Sequence, residues 1–298
     1  MKKTALRSSF LLFLAAFIWG VAFVAQSVGM DYMGPFTFIG ARFLMGSMVL
    51  LPLVVYRRKG KAVKQRTFGS RRDTLIGGVC CGLALCSAAL LQQFGIVYTT
   101  VGKAGFITTL YIIIVPIMGI FLKRRVSGKV WIAALIAAAG MYLLCMSEGL
   151  RLSRGDTYVF ICAILFSVHI LVIDHFSDRA DGVELSCLQF LTAGIIGSVL
   201  ALIFEHPTLS NFAGGIIPLA YAGIMSSGVA YTLQVIGQKD LDPTVASLIL
   251  SMESVVSMLA GWVILGQKLS HRELFGCVLV FAAVILAQLP EKENREAG

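Results

Sequence analysis

The chain is written in long apolar runs separated by short polar breaks. Ten runs stand out, at 10–28, 36–56, 74–97, 104–122, 130–147, 157–174, 184–204, 212–236, 244–265 and 272–289. Each is close to the roughly 20 residues that a helix needs to cross a hydrocarbon core of about 30 Å. They are continuously apolar and do not alternate in polarity, which argues against barrel strands and predicts helices. Pro52, Pro116, Pro218, Gly77 and Gly78 fall inside the runs; neighbouring helices can satisfy the backbone groups that such residues free. The first run follows Lys2, Lys3 and Arg7 and could pass for a signal peptide. Its length and the nine runs after it make it a retained signal anchor instead.

Composition sharpens this pattern. The 298 residues are 57% hydrophobic and 14% charged, with a mean hydropathy of +0.85, where a soluble domain carries about 25% charged residues. The longest polar break, 57–73, has no room for an appended soluble enzyme. The prediction is an all-α polytopic membrane protein with ten transmembrane helices. A net charge of +9 would suit a nucleic-acid binder, but its placement points to the bilayer. With the N-terminus inside, nineteen of the 25 lysines and arginines fall in cytoplasmic segments, eight of them in 57–73. Five are external and Arg42 lies within a span. That is the positive-inside bias of a cell-membrane protein with both termini cytoplasmic. The bias is strong in the first five spans and weak afterwards. All seven cysteines lie inside spans and read as small apolar residues of helix interfaces. No phosphate-binding loop, His-Glu-x-x-His or Gly-x-Ser-x-Gly occurs, so ATP drive, a metal site and a cofactor are not expected.

The two halves repeat. AAFIWGVAFV (15–24) aligns with CAILFSVHIL (162–171), and ARFLMG (41–46) with LQFLTA (188–193), both at a shift of 147. Gln93 meets Gln234 at 141, VGKAGFITTL (101–110) meets PTVASLILSM (243–252) at 142, and FLKRRVSGKVWIAA (121–134) meets ILGQKLSHRELFGC (264–277) at 143. Five spans per half is an odd number, so the second half starts on the opposite face. Two inverted five-helix repeats, 8–147 and 155–289, form a known transporter plan with substrate bound near the midplane between them.

Several residues could carry function, because ionisable groups cost at least about 2.5–3.5 kcal/mol at a bilayer centre. Glu253 lies near the middle of the ninth run and shares a helical sector of roughly 160° with Ser247, Ser251, Ser254, Ser257 and Gly261. It is the candidate proton-coupling acid, or else a carboxyl bonded to a neighbouring helix. Arg42 could receive an anionic or zwitterionic substrate, or be a snorkelling or paired structural residue. His169 could relay protons or bind substrate, or satisfy another helix. Gln93 and Gln234 occupy corresponding positions in the two halves and could face each other across the cavity, or bond between helices, as could Gln92 and Gln189. Trp19, Phe23 and Gln26 recur at i, i+4 and i+7 on one face of the first span.

Trp19-Gly20, Arg42-Phe43, GFITTLYIIIVPIMG (105–119), the stretch 230–270 and FGCVLVFAAVILAQL (275–289) together resemble the EamA branch of the drug/metabolite transporter superfamily. The likeness covers residues 8–289. It implies a ten-helix, two-repeat secondary carrier of small metabolites, often an exporter. It also suggests, more than pattern does, an aromatic wall in which Tyr111 and Tyr231 join Trp19. The family's usual acid after the ninth span's glycine is Gln267 here.

Three function classes follow. The first is a carrier of small molecules such as amino acids, amines or related amphiphilic compounds, with a lipid flippase as its neighbouring variant. The second is an intramembrane enzyme, for which His169 with Glu253 is the sole candidate pair. The third is a subunit without its own cargo. The first accounts best for the repeats and the intramembrane charges. Oligomeric state is not fixed by the sequence.

Overall fold

The computed structural model describes residues 2–61, 71–99, 101–123, 126–145, 153–266 and 270–289, and these are all-helical with short turns. The chain runs through α1 (Lys2–Gly29), α2 (Pro35–Lys61), α3 (Arg71–Tyr98), α4 (Val101–Thr108), α5 (Tyr111–Phe121), α6 (Gly128–Cys145), α7 (Arg154–Ser177) and α8 (Gly182–Phe204). The short helices α9 (Leu209–Gly214) and α10 (Ile216–Ala220) then lead into a π-helical segment, Tyr221–Tyr231, continued by α11 (Thr232–Gln238), α12 (Pro243–Leu250), α13 (Met252–Leu265) and α14 (His271–Gln288). By length and composition, eight helices among the described residues are fit to cross a membrane, counting α4 with α5, α10 and the π segment with α11, and α12 with α13 as single crossings. The remaining apolar stretches, Gly128–Gly140 and Leu274–Ala287, are shorter, so eight stand against the ten predicted. Gln267 and most of the basic 57–73 break lie outside the described residues.

Local chemistry sets the helix ends. Ser153 and Asp156 cap each other at the start of α7. Asp181 accepts from the N–H groups of Val183 and Glu184 at the start of α8. Asp242 caps α12, whose first residue is Pro243, and Gly266, at φ +66°, closes α13. These are polar caps at the first turn and a left-handed glycine at the last.

Two predicted spans are interrupted in the same way. Between α4 and α5 the chain tightens into i→i−3 bonds (Leu110 N to Ile107 O, 3.2 Å; Ile112 N to Thr109 O, 3.0 Å). The Thr109 hydroxyl donates to the Phe106 carbonyl (2.9 Å). Between α12 and α13 the Ser251 hydroxyl donates to the Leu248 carbonyl (2.7 Å), and Ser254 N bonds to Ser251 O (3.1 Å). At both sites the backbone closes i→i−3 and the regular ladder is broken.

Small residues bring the helices together. A Cβ on Gly197 of α8 would stand 2.8 Å from the Gly40 Cα of α2. One on Gly20 of α1 would stand 2.4 Å from the Val256 Cβ and 2.9 Å from the Glu253 carbonyl of α13. One on Gly140 of α6 would stand 2.7 Å from the Gly276 carbonyl of α14. Lipid supplies no hydrophobic force between helices, so close backbone approach and interhelical bonds hold them. Large apolar side chains such as Phe17, Leu51, Phe121, Leu202 and Val263 are exposed. In water such a surface would be an aggregation liability; against lipid it is the solvent-facing side.

The antiparallel pair α2–α8 is fastened at both ends. Glu205, at the end of α8, accepts from the N–H groups of Phe36 (2.9 Å) and Thr37 (2.7 Å) and from the Thr37 hydroxyl (2.7 Å). It thus caps the first turn of α2, in space that Gly34 leaves open. At the other end Arg58 meets Glu184 through two bonds of 3.1 Å, and Arg57 lies 3.5 Å from Asp181. The arginines are about half exposed, at 53% and 42%, so these pairs contribute about 1 kcal/mol or less each.

Two substitutions test this packing. Gly197→Leu should lower unfolding stability in detergent by about 1–3 kcal/mol or more, because backbone must move. Gly128→Ala, at a position with nothing within 4 Å, should stay within about 0.5 kcal/mol of wild type. Equal effects of the two in chemical unfolding would refute close α2–α8 packing. Glu205→Gln should cost about 1–3 kcal/mol in the same assay, through loss of charge-assisted bonds to the α2 N-terminus.

Candidate functional site

The helices leave a cavity where both interrupted spans and the π segment meet. Its volume is about 30 Å³. From α1 come Trp19, Phe23 and Gln26, from α2 Arg42, and from α3 Gln92. Thr108 and Tyr111 flank one helix interruption; Leu250 and Glu253 flank the other. Phe166 and Ile170 of α7, Ser226 and Tyr231 of the π segment and Gln234 of α11 complete the lining.

Glu253 is in the first turn of α13, where the positive end of the helix dipole favours a carboxylate. Tyr111, the first residue of α5, donates its hydroxyl to Glu253 Oε1 at 3.0 Å. The bond therefore joins the two helix interruptions, and its partners are 142 residues apart. That is the shift at which 101–110 matches 243–252 in the sequence. The serines grouped with Glu253 bond to their own helix: Ser247, Ser251, Ser254 and Ser257 each donate to the carbonyl three residues back.

Arg42 is 2% exposed. Its Nε donates to Ser227 Oγ (3.2 Å), its Nη2 donates to Ser226 Oγ (2.9 Å), and its guanidinium lies 5.0 Å from the Phe43 ring centre. Among the described residues no carboxylate forms an ion pair with it. Trp19 packs against Tyr231, ring centres 4.5 Å apart and planes tilted by 56°, and donates its indole N–H to the Ser226 carbonyl (3.1 Å). The side-chain carbonyl oxygens of Gln26 and Gln234 find no partner among the described residues, which leaves two acceptors on side chains that line the cavity.

Seven predicted site residues thus meet at one cavity: Trp19, Gln26, Arg42, Tyr111, Tyr231, Gln234 and Glu253. Two do not line it. Gln93 is wholly buried and donates its amide to the Gln26 backbone carbonyl (3.1 Å). The helical turn of about 100° per residue gives its place to Gln92, which donates to Thr108 Oγ1 (3.1 Å). His169 is wholly buried behind the wall, with Nε2 2.9 Å from Gln189 Oε1 and its ring against Phe166 and Tyr231. The carboxyl of Glu253 bonds to Tyr111 and not to His169, so the pair required for an intramembrane enzyme is not assembled. Ser226 and Ser227 were not singled out from the sequence. A polar pair inside an apolar run was the available signal. No group of three or more metal-ligating side chains occurs among the described residues.

Comparison with known proteins bears on both fold and function. A model of the EamA-like transporter family matches the chain twice, at residues 6–146 and 153–289. A protein of Archaeoglobus fulgidus named an uncharacterized transporter is 30% identical over 282 residues, covering 93% of this chain and 84% of its own. A WAT1-related chloroplastic protein of Arabidopsis thaliana is 22% identical, covering 92% and 68% respectively. A solved crystal structure superposes with a TM-score of 0.76 at 18% identity, covering 94% of this chain and 96% of that one. At that identity the superposition speaks for the fold alone. With two matches that together span nearly its whole length, the chain belongs to the EamA-like transporter family of the drug/metabolite transporter superfamily, as a multi-pass membrane transporter and not an enzyme.

Proposed function

We propose that the protein is a secondary carrier of ten membrane helices in two inverted repeats, 8–147 and 155–289, which exports small amphiphilic metabolites such as amino acids or amines by alternating access. It works in the cell membrane with both termini cytoplasmic and uses Glu253 as the proton-coupling acid. The observation that carries this reading is the Tyr111–Glu253 bond, made between corresponding helix interruptions inside the central cavity. The tandem family match supports the repeats. So do the helix contacts: α2 packs on α8, α4 on α13, α5 on α12 and α6 on α14, each joining corresponding parts of the two halves. Interrupted helices crossing near the midplane supply helix ends and polar groups to a substrate that the bilayer would otherwise deny them.

The coupling follows from charge economy. Glu253 has a phenol and no cation within bonding distance among the described residues. In a cavity shut from water, a carboxylate so placed is costly until a proton or a cationic group neutralises it. A proton and the ammonium of a substrate therefore compete for one carboxyl. A carrier that returns with either one, but not with neither, exchanges protons for substrate, and an inward proton gradient drives export. Trp19 and Tyr231 offer aromatic faces to the cationic or apolar part of the cargo.

Reconstituted protein tests this with labelled amino acids and amines, with and without an imposed pH gradient. Wild type should accumulate substrate against its gradient when the pH gradient is applied. Glu253→Gln should lose that response while still exchanging substrate for substrate. Coupling in the variant equal to that of wild type would sink the assignment of Glu253. Transport of labelled phospholipid, with no water-soluble solute moved, would favour a flippase. Tyr111→Phe should keep the response and lose about 1–3 kcal/mol of stability, because it leaves a buried carboxyl without its donor.

A further inference from the structure

The setting of Arg42 has a counterpart in the same molecule. At Arg58 the Nε and Nη2 edge is filled by the two carboxylate oxygens of Glu184, each at 3.1 Å. At Arg42 the same edge is filled by two hydroxyls, Ser227 Oγ at 3.2 Å and Ser226 Oγ at 2.9 Å. The geometry is alike but the charge is not. Glu184 neutralises its arginine, whereas two serines fix Arg42 and leave its full positive charge in place. An arginine stays protonated under all ordinary conditions, so that charge awaits an anion.

The hydroxyls differ in what they have left to give. Ser227 donates its own proton to the Ala222 carbonyl (2.9 Å), five residues back as the π turn requires. Ser226 accepts from Arg42 and its hydroxyl has no acceptor among the described residues, while its backbone carbonyl is held by Trp19. Ser226 lines the cavity; Ser227 sits behind it. Two consecutive residues of the π segment thus reach one guanidinium. Nη1 of Arg42 likewise has no bond to the described residues.

We propose that Arg42 and Ser226 form a carboxylate receptor in the cavity wall. The guanidinium and the Ser226 O–H are its donors, and Ser227 is the positioning residue that keeps the arginine turned toward the cargo. The receptor deepens the transport reading, on which it rests for the cavity's use, and assigns to the substrate an anionic carboxylate in addition to any group that meets Glu253. The π segment carries both serines, and its i→i−5 turn takes the Ser227 hydroxyl proton at the Ala222 carbonyl.

Acetate is a sufficient probe, since it carries the recognised group and little else. In full-length protein with Trp131→Phe and Trp262→Phe, the remaining Trp19 is bonded to the receptor's own backbone and reports on it by fluorescence. Acetate should give a saturable change that chloride at the same ionic strength does not. Arg42→Gln should abolish it, and Ser226→Ala should weaken acetate about tenfold or more, the loss of one bond to a charged partner. Ser226→Asp places a carboxylate inside the protein and should abolish the acetate response while thermal unfolding stays cooperative. Ser226→Thr, which retains the hydroxyl, is the folding control for the alanine variant. No saturable response in wild type, or an undiminished one in a folded Ser226→Asp, overturns the receptor. A protein that couples amine transport to the pH gradient yet ignores acetate keeps the transport reading and loses this one.

Discussion

Placing an ionisable side chain in the hydrocarbon layer costs about 2.5–3.5 kcal/mol even on the milder insertion scales, and this chain does so twice in one cavity, at Arg42 and Glu253. The two do not cancel each other. Arg42 is held by serine hydroxyls and Glu253 by a tyrosine hydroxyl. A direct ion pair would be the cheaper arrangement for a purely structural role, since each charge would neutralise the other. Kept apart, each against neutral hydroxyls, neither group is paired with the other. The rest of the molecule makes that arrangement tolerable by supplying polar partners where regular helices cannot.

Three departures from the α-helix converge on the cavity, and each has a local cause. At Thr109 and Ser251 the chain closes into i→i−3 bonds, with both hydroxyls on the carbonyls three residues back. The segment Tyr221–Tyr231 widens into π turns, clasped by Trp19 at the Ser226 carbonyl, by Tyr221 donating to the Ile18 carbonyl (3.1 Å), and by Arg42 at both serines. In lipid such irregular backbone would strand polar groups; inside the bundle it presents them. The glycines do the complementary work. Gly20 lets α1 press on the Glu253 carbonyl, and Gly40 with Gly197 lets α2 and α8 meet backbone to backbone.

Much of this was legible in the sequence because membrane helices write their own lengths. The apolar runs located the helices, eight of which among the described residues are fit to cross a membrane, and the intramembrane charge test picked out Arg42 and Glu253, which line the cavity. Pattern failed where direction mattered. Gln92 and Gln93 are neighbours in a run that is apolar on all sides, so periodicity could not say which of them turns inward. For the same reason the sequence left His169 open between the cavity and another helix, and its bond to Gln189 shows it turned into the packing. The interruptions at Thr109 and Ser251 left no glycine or proline to announce them, and the π segment reads in sequence as an ordinary span. Irregularity produced by side-chain hydroxyls and tertiary clasps has no one-dimensional signature.

The cavity is small. At about 30 Å³ it has room for about two waters. Two seams beside it are closely packed: α2–α8 is capped at both ends by carboxylates and in backbone contact at Gly40, and α1–α13 is in contact at Gly20. The turns that flank the cavity are less regular. A tightened i→i−3 turn and a π turn can each trade one carbonyl for the next without leaving a group unsatisfied. All three such turns carry cavity side chains, Tyr111, Glu253 and Ser226. Those side chains therefore sit where the regular helix ladder is already broken, so the polar groups of the cavity and the irregular backbone are one structural feature.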